Sequence, residues 1–265
     1  MNINGLVTIV TGGARGIGRG ICKIMAENAA DVIVADIDKE MAETTASGLR
    51  RMGINSVAVQ LDVTSRVESN RVVKTVIDDF GRIDILVNNA GVIGSRGWEN
   101  RKRANQDDWD LILNVNVKGI VNFTEAVIPY MKERRNGKIV NIASIAGRQG
   151  TPKNPPYSVS KTGVISLTQG YALELAQYNI NVNCICPGLL WTPMFERIIN
   201  RESGGLDSSI DTPRITFDNY VKEKIPLGRE QIPEDIGYLA AFLCSPYSQN
   251  ITGQSVNVSG GYFMN

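Results

Sequence analysis

A tyrosine and a lysine stand four residues apart in the stretch NPPYSVSKTG, residues 154–163, of a chain that contains no histidine. If this stretch is helical, Tyr157 and Lys161 share a face, because positions i and i+4 are neighbours on a helix. Pro155 and Pro156 fit the first turn of such a helix. A phenol near an ammonium and a helix N-terminus is stabilised as tyrosinate. The sequence therefore predicts a lowered pKa for Tyr157, which would transfer protons in place of a histidine.

Ser144 is the third candidate for this chemistry. It directly follows the apolar run KIVNIA, which is typical of a buried strand. A hydroxyl at the carboxyl end of that strand can hydrogen-bond a substrate oxygen on which charge develops. A tyrosine and a lysine at this spacing are on their own more often a half-buried aromatic and a solvated helix charge. The assignment therefore depends on the rest of the chain.

A glycine-rich stretch, TGGARGIG at residues 11–18, follows the first apolar run. Glycines allow a tight turn from a strand into a helix, and they let backbone N–H groups approach a pyrophosphate at the helix N-terminus. Because the stretch lies between a predicted strand and a predicted helix, it indicates a dinucleotide site. The residues expected to contact the cofactor here are Gly12, Arg15, Gly16, Ile17 and Gly18.

Asp36 ends the second apolar run, VIVAD. A dinucleotide fold places at this point the carboxylate that binds the adenosine ribose hydroxyls. This charge would repel a 2′-phosphate and so favours NAD over NADP, whereas Arg15 in the loop could assist a phosphate. The alternative for Asp36 is a turn residue at the strand end. Asp62, which precedes Val63 in the stretch LDV, fits either a contact with the adenine edge or a plain turn.

The elements that must position these residues alternate regularly along the chain. Short runs rich in valine and isoleucine are separated by longer amphipathic stretches, for example 18–28, 66–80 and 107–132. This alternation predicts an α/β fold, a single Rossmann-type doubly wound parallel sheet of about seven strands with helices on both faces. The predicted strands are 6–10, 32–35, 57–61, 85–87, 138–142, 182–185 and 255–258.

Residues 1–265 are expected to form a single domain with one long irregular insertion at about 189–230. The insertion follows a strand, so it should emerge at the carboxyl edge of the sheet, where it would cover a substrate. A surface excursion or a subunit contact is the alternative. A second irregular stretch, 92–108, follows the fourth strand and is expected to wall the same cleft. Within the insertion, Arg197, Arg201 and Arg214 could meet an anionic substrate group or could be structural.

Taken together, the motifs resemble those of the short-chain dehydrogenase/reductase family, and they occur in the family's order over essentially the whole chain. The resemblance is carried by TGGARGIG, Asp36, LDV, NNAG at 88–91, Asn116 in NVNVKG, Ser144 in NIASIAG, YSVSK at 157–161 and PGLLWTPM from Pro187.

The resemblance implies a role for each matching residue. Tyr157 would transfer the proton, Lys161 would assist it, Ser144 would polarise the substrate oxygen, and Asn116 rather than Asn114 would organise a water-linked proton path. The NNAG motif would line the adenosine side, and the PGLLWT motif would hold the nicotinamide carboxamide. These two motifs contribute Asn89, Ala90, Gly91, Pro187, Gly188, Leu190 and Thr192 to the expected cofactor site, which also includes Tyr157 and Lys161.

Composition limits the partners. A net charge of +1 gives no electrostatic reason to expect nucleic acid or an anionic membrane. The N-terminal apolar run is too short to span a bilayer and has no basic leader. Four cysteines without a CxxC pair, in a chain without histidine, make a metal site unexpected and favour a reducing, cytoplasmic location. The apolar C-terminal strand and the long helices suggest association, which in the resembled family commonly gives tetramers; a dimer is the alternative.

The predicted function is therefore that of an oxidoreductase, an NAD-dependent alcohol dehydrogenase. It would transfer a hydride between a secondary alcohol (a polyol, sugar or other small hydroxy compound) and NAD. One alternative is an NADPH-dependent reductase of 3-ketoacyl compounds or small ketones. Another, from a different class, is a non-catalytic protein that binds NAD as a sensor.

Overall fold

The protein is described by a computed structural model that covers residues 1–202 and 212–264. Within these residues one parallel sheet has the order β3-β2-β1-β4-β5-β6-β7, with helices on both faces. The predicted fold class is therefore confirmed. The strands are β1 Val7–Thr11, β2 Asp31–Asp36, β3 Ser56–Gln60, β4 Ile85–Asn88, β5 Gly137–Ile142, β6 Ile180–Pro187 and β7 Ser255–Val258.

The central strands are buried on both faces because their sequences are apolar and β-branched almost throughout. In β1 all five residues, VTIVT, are buried. On one face Val10 contributes to a core that also contains Met25 and Ala240, and on the other Ile9 contributes to a core with Phe123. Helices therefore cover both faces of the sheet, and its carboxyl edge is left to the loops.

The helices connect the strands in the order expected of a doubly wound sheet. They are α1 Gly16–Glu27, α2 Lys39–Arg51, α3 Arg66–Phe80, α4 Gln106–Leu113, α5 Gly119–Arg134, α6 Pro155–Leu175, α7 Pro193–Glu202, α8 Thr212–Lys224 and α9 Pro233–Cys244.

Helices α4 and α5 are joined by a turn of π-helix, Asn114–Lys118, so that 106–134 forms one continuous helical rod. Among the described residues this rod has the length and apolar composition of a membrane span, but half of its most apolar stretch is buried inside the protein. Phe123, Val127 and Met131 from it belong to the core under the sheet. The rod therefore packs as a core helix.

The predicted insertion is more regular than the sequence indicated. The prediction of an irregular segment at 189–230 is wrong where α7 and α8 form; residues 203–211 lie outside the described part. Phe217 and Val221 of α8, with Ile225 directly after it, make a small apolar cluster with residues that follow β6. This cluster stabilises a helix whose own apolar pattern is weak, which is why the sequence alone did not indicate it.

Candidate active site

The glycine-rich stretch forms a cradle between β1 and α1. Gly12 and Gly16 have positive φ angles of 64° and 52°, a region that side chains rarely adopt. A Cβ on Gly18 would lie 2.0 Å from the Gly12 carbonyl oxygen. Arg15 caps α1 without a side-chain hydrogen bond, and the first turn contains no acidic residue. The N–H groups of this turn thus remain available to a pyrophosphate, and the cradle fits a dinucleotide.

Asn89 holds this cradle from the neighbouring strand. Its side-chain amide donates to the carbonyls of Thr11 and Gly12 at 3.0 and 2.9 Å. The Thr11 hydroxyl in turn accepts from the backbone N–H groups of Asn89 and Ala90. A Cβ on Gly12 would also meet Ala90 Cα at 2.8 Å. The two motifs are therefore locked together, and no side chain fits between them at Gly12.

Asp36 lies at the carboxyl end of β2, beside the cradle. One carboxylate oxygen accepts from the N–H of Ala14 at 3.0 Å, and the other accepts from the N–H of Asp38 at 3.1 Å. Each oxygen retains lone pairs for a ribose hydroxyl. Ile37, the next residue, is an exposed apolar side chain. The end of β2 therefore presents a carboxylate to the site, and β2 itself supplies no cation beside it.

Asp62 and Val63 have local structural roles. Asp62 Oδ1 accepts from both the N–H and the hydroxyl of Thr64, which makes a tight turn. Val63 is buried, and a Cβ on Gly119 would meet its Cγ2 at 2.7 Å, so its side chain packs toward α5. A contact between these residues and the adenine stays a prediction.

Ser144 and Tyr157 both line a cleft of about 1030 Å³. Ser144 follows β5, and its hydroxyl accepts from the N–H of Ala146. Burial raises the pKa of Tyr157 to about 12, and the hydrogen bond with the Ser144 side chain acts against this rise. The predicted lowering of the Tyr157 pKa is wrong, because loss of solvent outweighs any stabilisation of the phenolate.

Lys161 lies one helical turn after Tyr157 and is buried. Its ammonium donates to the Ile142 carbonyl at 2.8 Å and sits 5.7 Å from the centroid of the tyrosine ring. Burial lowers the pKa of Lys161 to about 8. The pair shares a helix face as predicted, but the ammonium is held by the backbone at the end of β5.

Asn116 is fully buried in the π-helical turn. Its side chain accepts from the N–H of Val92 and donates to the Val92 carbonyl and the Ser160 hydroxyl. Ser160 then donates to the Tyr157 carbonyl at 2.7 Å. Asn116 therefore fastens the loop after β4 to the helix of Tyr157. Its expected part in a proton path stays a prediction.

Gly91 lies between the two buried polar groups. A Cβ there would be 3.3 Å from Asn116 Oδ1 and 3.6 Å from Lys161 Nζ. The π-helical turn and α6 therefore both lie close to the last residue of the NNAG motif.

The end of β6 and the segment that follows it bring Pro187, Gly188, Leu190 and Thr192 to the same edge. Gly188 has no room for a side chain, since a Cβ would meet Gln231 Oε1 at 2.6 Å. The Thr192 hydroxyl accepts from the N–H of Phe195 at the start of α7. The nearest atom to a Cβ placed on Gly16 is Thr192 Cγ2, at 3.7 Å. The nicotinamide and pyrophosphate parts of the predicted site therefore adjoin.

The three arginines that the sequence analysis singled out in the insertion are held by protein groups. Arg197 pairs with Glu99 at 2.8 Å, and Arg214 pairs with Asp218 at 3.0 Å and with Glu230. Arg201 donates to three backbone carbonyls at 3.0–3.2 Å, those of Arg101, Lys102 and Lys153.

Residues 92–108 wall the cleft, as predicted, but sequence reasoning named none of their side chains. Trp98 lines the cleft and is 2% exposed, and Asn154 lines it from the start of α6. Asp108 fixes this wall by binding Arg101 at 2.7 Å and the Ser95 N–H at 2.8 Å. The only sequence signal was the position of the stretch after β4.

A glycine cradle at the switch point of a parallel sheet, beside a serine and a tyrosine that share a cleft, defines an oxidoreductase that uses a nicotinamide dinucleotide. The sequence model of the short chain dehydrogenase family matches residues 6–203. The chain belongs to this family.

Individual relatives differ in the chemistry that their names state. The 3-oxoacyl-[acyl-carrier-protein] reductase FabG of Thermotoga maritima is 37% identical over 98% of this chain and 99% of its own. A solved structure of NAD⁺-bound xylitol dehydrogenase is 32% identical, has a TM-score of 0.90 and is matched over 98% of this chain and 100% of its own. A single-residue variant of actinorhodin polyketide ketoreductase, solved with NADPH, is 34% identical, with a TM-score of 0.87 and 97% coverage of both chains.

Proposed function

We propose that the chain transfers a hydride between a secondary alcohol and NAD, with a polyol, sugar or other small hydroxy compound as substrate. The observation that carries this proposal is that Ser144 and Tyr157 line one cleft with Thr192, whose Cγ2 is the atom nearest to a Cβ placed on Gly16 of the glycine cradle, at 3.7 Å. One protein surface thus offers both a place for a dinucleotide and a proton-transfer group.

The chain's own residues handle the substrate oxygen and its proton. When bound, the nicotinamide ring accepts or returns the hydride. Ser144 donates a hydrogen bond to the substrate oxygen, and Tyr157 takes the proton from the alcohol or gives it to the ketone. The buried Lys161 ammonium favours the phenolate in the first case. The hydrogen bonds of Asn116 hold the helix that carries Tyr157 against the loop after β4.

Asp36 supports NAD as the cofactor. Its carboxylate is fixed by two backbone N–H groups at the edge of the cradle, where a 2′-phosphate would meet a like charge. The neighbouring Ile37 supplies no cation to offset that charge. This assignment also agrees with the NAD⁺ named for the similar xylitol dehydrogenase.

The second candidate is an NADPH-dependent reductase of 3-ketoacyl compounds or small ketones. The name of the Thermotoga maritima relative and the NADPH of the polyketide ketoreductase favour it. Arg15 also favours it, because this exposed side chain of the loop makes no capping hydrogen bond and is free to meet a phosphate.

A rate comparison separates the two candidates. NADH or NADPH formation is measured with NAD and then NADP across polyols, sugars, hydroxy acids and simple secondary alcohols, and oxidation of NADPH and NADH is measured with acetoacetyl-CoA. Turnover of an alcohol that requires NAD supports the first candidate. Faster reduction of acetoacetyl-CoA with NADPH would replace it with the second.

We further propose that residues 1–265 form one domain with a substrate lid at about 189–230, located in the cytoplasm and assembled as a homotetramer or dimer. The exposed Leu173 and Val159 on α6, at 83% and 50%, support association, because a subunit contact along this helix would remove both apolar side chains from water. Sedimentation of the purified protein tests the assembly, and a monomer at micromolar concentration would contradict it.

A further inference from the structure

The cleft that Ser144 and Tyr157 line is basic, although the chain as a whole is balanced in charge. The chain has 28 lysines and arginines and 27 aspartates and glutamates. Among the described residues that line the cleft, the basic ones are Arg101, Lys102, Lys153, Arg201 and Lys224, and the acidic one is Glu99. Glu99 is already paired with Arg197 at 2.8 Å. A cleft lined mainly by one sign of charge attracts ions of the opposite sign.

Arg201 brings two of these lysines to the same part of the wall. Its Nη1 donates to the Lys153 carbonyl at 3.0 Å, and its Nη2 donates to the Lys102 carbonyl at 3.2 Å. The backbones of the two lysines, which belong to different loops, therefore meet at one guanidinium. The carbonyls occupy N–H groups of Arg201 but do not cancel its charge, and no carboxylate in the described part of the chain pairs with it.

The lysine ammonium groups add hydrogen-bond donors to this charge. Lys102, Lys153 and Lys224 are all exposed. Within the residues that the structure describes, no carboxylate forms a salt bridge with Lys102 or Lys224. The Lys224 ammonium lies 4.5 Å from the centroid of the Tyr220 ring, which also lines the cleft. An ammonium has three donors and a ring face does not occupy all of them, so a ligand can still bind there.

These cations are separate from the glycine cradle. None of residues 11–18, all of which the structure describes, lines this cleft, whereas Gly188 and Thr192 do. The cleft therefore adjoins the residues expected to hold the nicotinamide, and it does not include the loop expected to hold the pyrophosphate. An anion held by the cleft lysines would accordingly belong to the substrate.

We propose that Lys102 and Lys153, on the wall that Arg201 holds together, bind an anionic group of the substrate, while Lys224 adds attraction from α8. The substrate is then a secondary alcohol that carries a carboxylate or a phosphate ester, or the corresponding ketone. The inference rests on the proposed function. In oxidation the carbinol carbon gives its hydride to NAD, its hydroxyl gives the proton to Tyr157, and the anionic group is unchanged. Carboxylate and phosphate oxygens accept hydrogen bonds that ammonium groups donate.

The test compares substrates that share a secondary hydroxyl and differ in charge, each with NAD. 3-Hydroxybutanoate is paired with 1,3-butanediol, and glycerol 3-phosphate is paired with glycerol. Lys102→Gln, Lys153→Gln and Lys224→Gln each remove one charge and keep a polar side chain. Arg103→Gln and Lys222→Gln are the matched controls, because both residues are exposed close to a cleft lysine in sequence and neither lines the cleft.

We expect the wild type to prefer at least one anion over its neutral partner by about tenfold or more in kcat/KM, mainly through KM. Lys102→Gln and Lys153→Gln should each lower kcat/KM for that anion about three- to tenfold, and Lys224→Gln about threefold. The neutral partner should stay within about twofold, and the controls should change neither. Added salt should weaken the preference, because it screens exposed charges. The two pairs show whether the group is a carboxylate or a phosphate.

Equal kcat/KM for both anions and their neutral partners would overturn the inference. So would lysine variants that affect charged and neutral substrates alike, or control variants that lose as much as the cleft variants, since the effect would then come from net charge. An effect of the lysine variants confined to acetoacetyl-CoA with NADPH would also overturn it, because the cations would then serve the phosphates of the coenzyme.

A binding measurement separates this inference from the proposed function. 3-Hydroxybutanoate and glycerol 3-phosphate are titrated by calorimetry into the wild type and Lys102→Gln, with and without NAD. Saturable binding that Lys102→Gln weakens, without NAD-linked turnover of any alcohol, would refute the proposed function and keep the anion site. NAD-linked turnover of 1,3-butanediol or glycerol without binding of either anion would refute the anion site alone. Silence in both measurements refutes both.

Discussion

The Lys161 ammonium lies 5.7 Å from the centroid of the Tyr157 ring, while its hydrogen bond goes to the Ile142 carbonyl at 2.8 Å. The lysine is thus hydrogen-bonded to the end of β5, and its ammonium lies near the tyrosine ring rather than bonding to it. Burial acts on the two groups in opposite directions, raising the pKa of the phenol to about 12 and lowering that of the ammonium to about 8. The phenol is protonated at neutral pH and is ready to donate.

The first prediction concerns the pH dependence of the two directions. Alcohol oxidation needs the phenolate of Tyr157, whose population rises about tenfold per pH unit below a pKa of about 12. We expect kcat/KM for oxidation to increase from about pH 7 to about pH 10, and reduction to fall or stay level over this range. Initial rates in both directions check this. An oxidation plateau already reached at about pH 7 would mean that the bound complex ionises the tyrosine near neutrality.

Replacing Tyr157 by phenylalanine removes the proton-transfer group and its hydrogen bond with Ser144, whereas the contact between its backbone carbonyl and Ser160 is retained. We expect kcat to fall by about 10²–10⁴, with NAD affinity unchanged. Tyr171→Phe on the same helix is the matched control and should keep full activity. Turnover of Tyr157→Phe near the wild-type rate would refute the proposed chemistry.

The charge of Asp36 can be tested apart from its hydrogen bonds. Asp36→Asn retains an oxygen that can accept from Ala14 or Asp38 and removes the carboxylate charge. We expect kcat/KM with NADP to rise about tenfold or more relative to NAD, because a 2′-phosphate no longer meets a like charge. Asp36→Ala should relax the selectivity further and loosen the cradle. Unchanged selectivity in both variants would assign the discrimination to another residue, with Arg15 as the first candidate.

Gly18→Ala should abolish cofactor binding. Its Cβ would lie 2.0 Å from the Gly12 carbonyl oxygen, so the cradle must open to accept it. Gly48→Ala in α2 is the control, since its nearest neighbour is 3.8 Å away and alanine favours a helix. NAD titration by calorimetry, with circular dichroism to confirm folding, measures the effect. Wild-type NAD affinity in Gly18→Ala would show that the loop does not hold the pyrophosphate.

Asp108 should control the stability of the cleft wall in acid. Burial would raise the pKa of this carboxyl, but hydrogen bonds from Arg101, Asn105 and Ser95 outweigh it and lower the pKa to about 2. The stabilisation is therefore present above the unfolded pKa of about 3.9 and is lost as the pH falls to about 2. Asp108→Asn should lower the free energy of unfolding at neutral pH by about 1–3 kcal/mol and flatten the acid limb in thermal melts. An unchanged acid limb would contradict this assignment.

Much of the scaffold was predictable because strands buried on both faces show as runs of valine and isoleucine. Each predicted strand lies within a few residues of an observed one, and β7 and α3 have the predicted bounds. The glycine cradle and Asp36 followed from their place after β1 and β2. The helices of the insertion did not follow, because α8 depends on a cluster with distant residues such as Trp191.

The pKa shifts that depend on burial could not be predicted from the sequence. The sequence shows that Tyr157 and Lys161 share a helix face but not that both are removed from water, and the predicted direction of the tyrosine pKa was wrong for this reason. Asn154 illustrates the same limit. It directly precedes α6 as the N-cap residue, and only the structure shows its amide turned to Ile93.

The clamp between Asn89 and the cradle also has a consequence for folding. Asn89 is 77 and 78 residues away in sequence from the two carbonyls that it binds, those of Gly12 and Thr11. A nascent chain that ends after β3 already contains the whole glycine motif and Asp36. Its glycine-rich loop lacks the hydrogen bonds from Asn89 until β4 pairs with β1. Contacts of such high contact order form late, because a long loop must close first. Competence to bind the dinucleotide should therefore appear only after β4 has paired with β1, and binding then draws the population toward the native state by mass action.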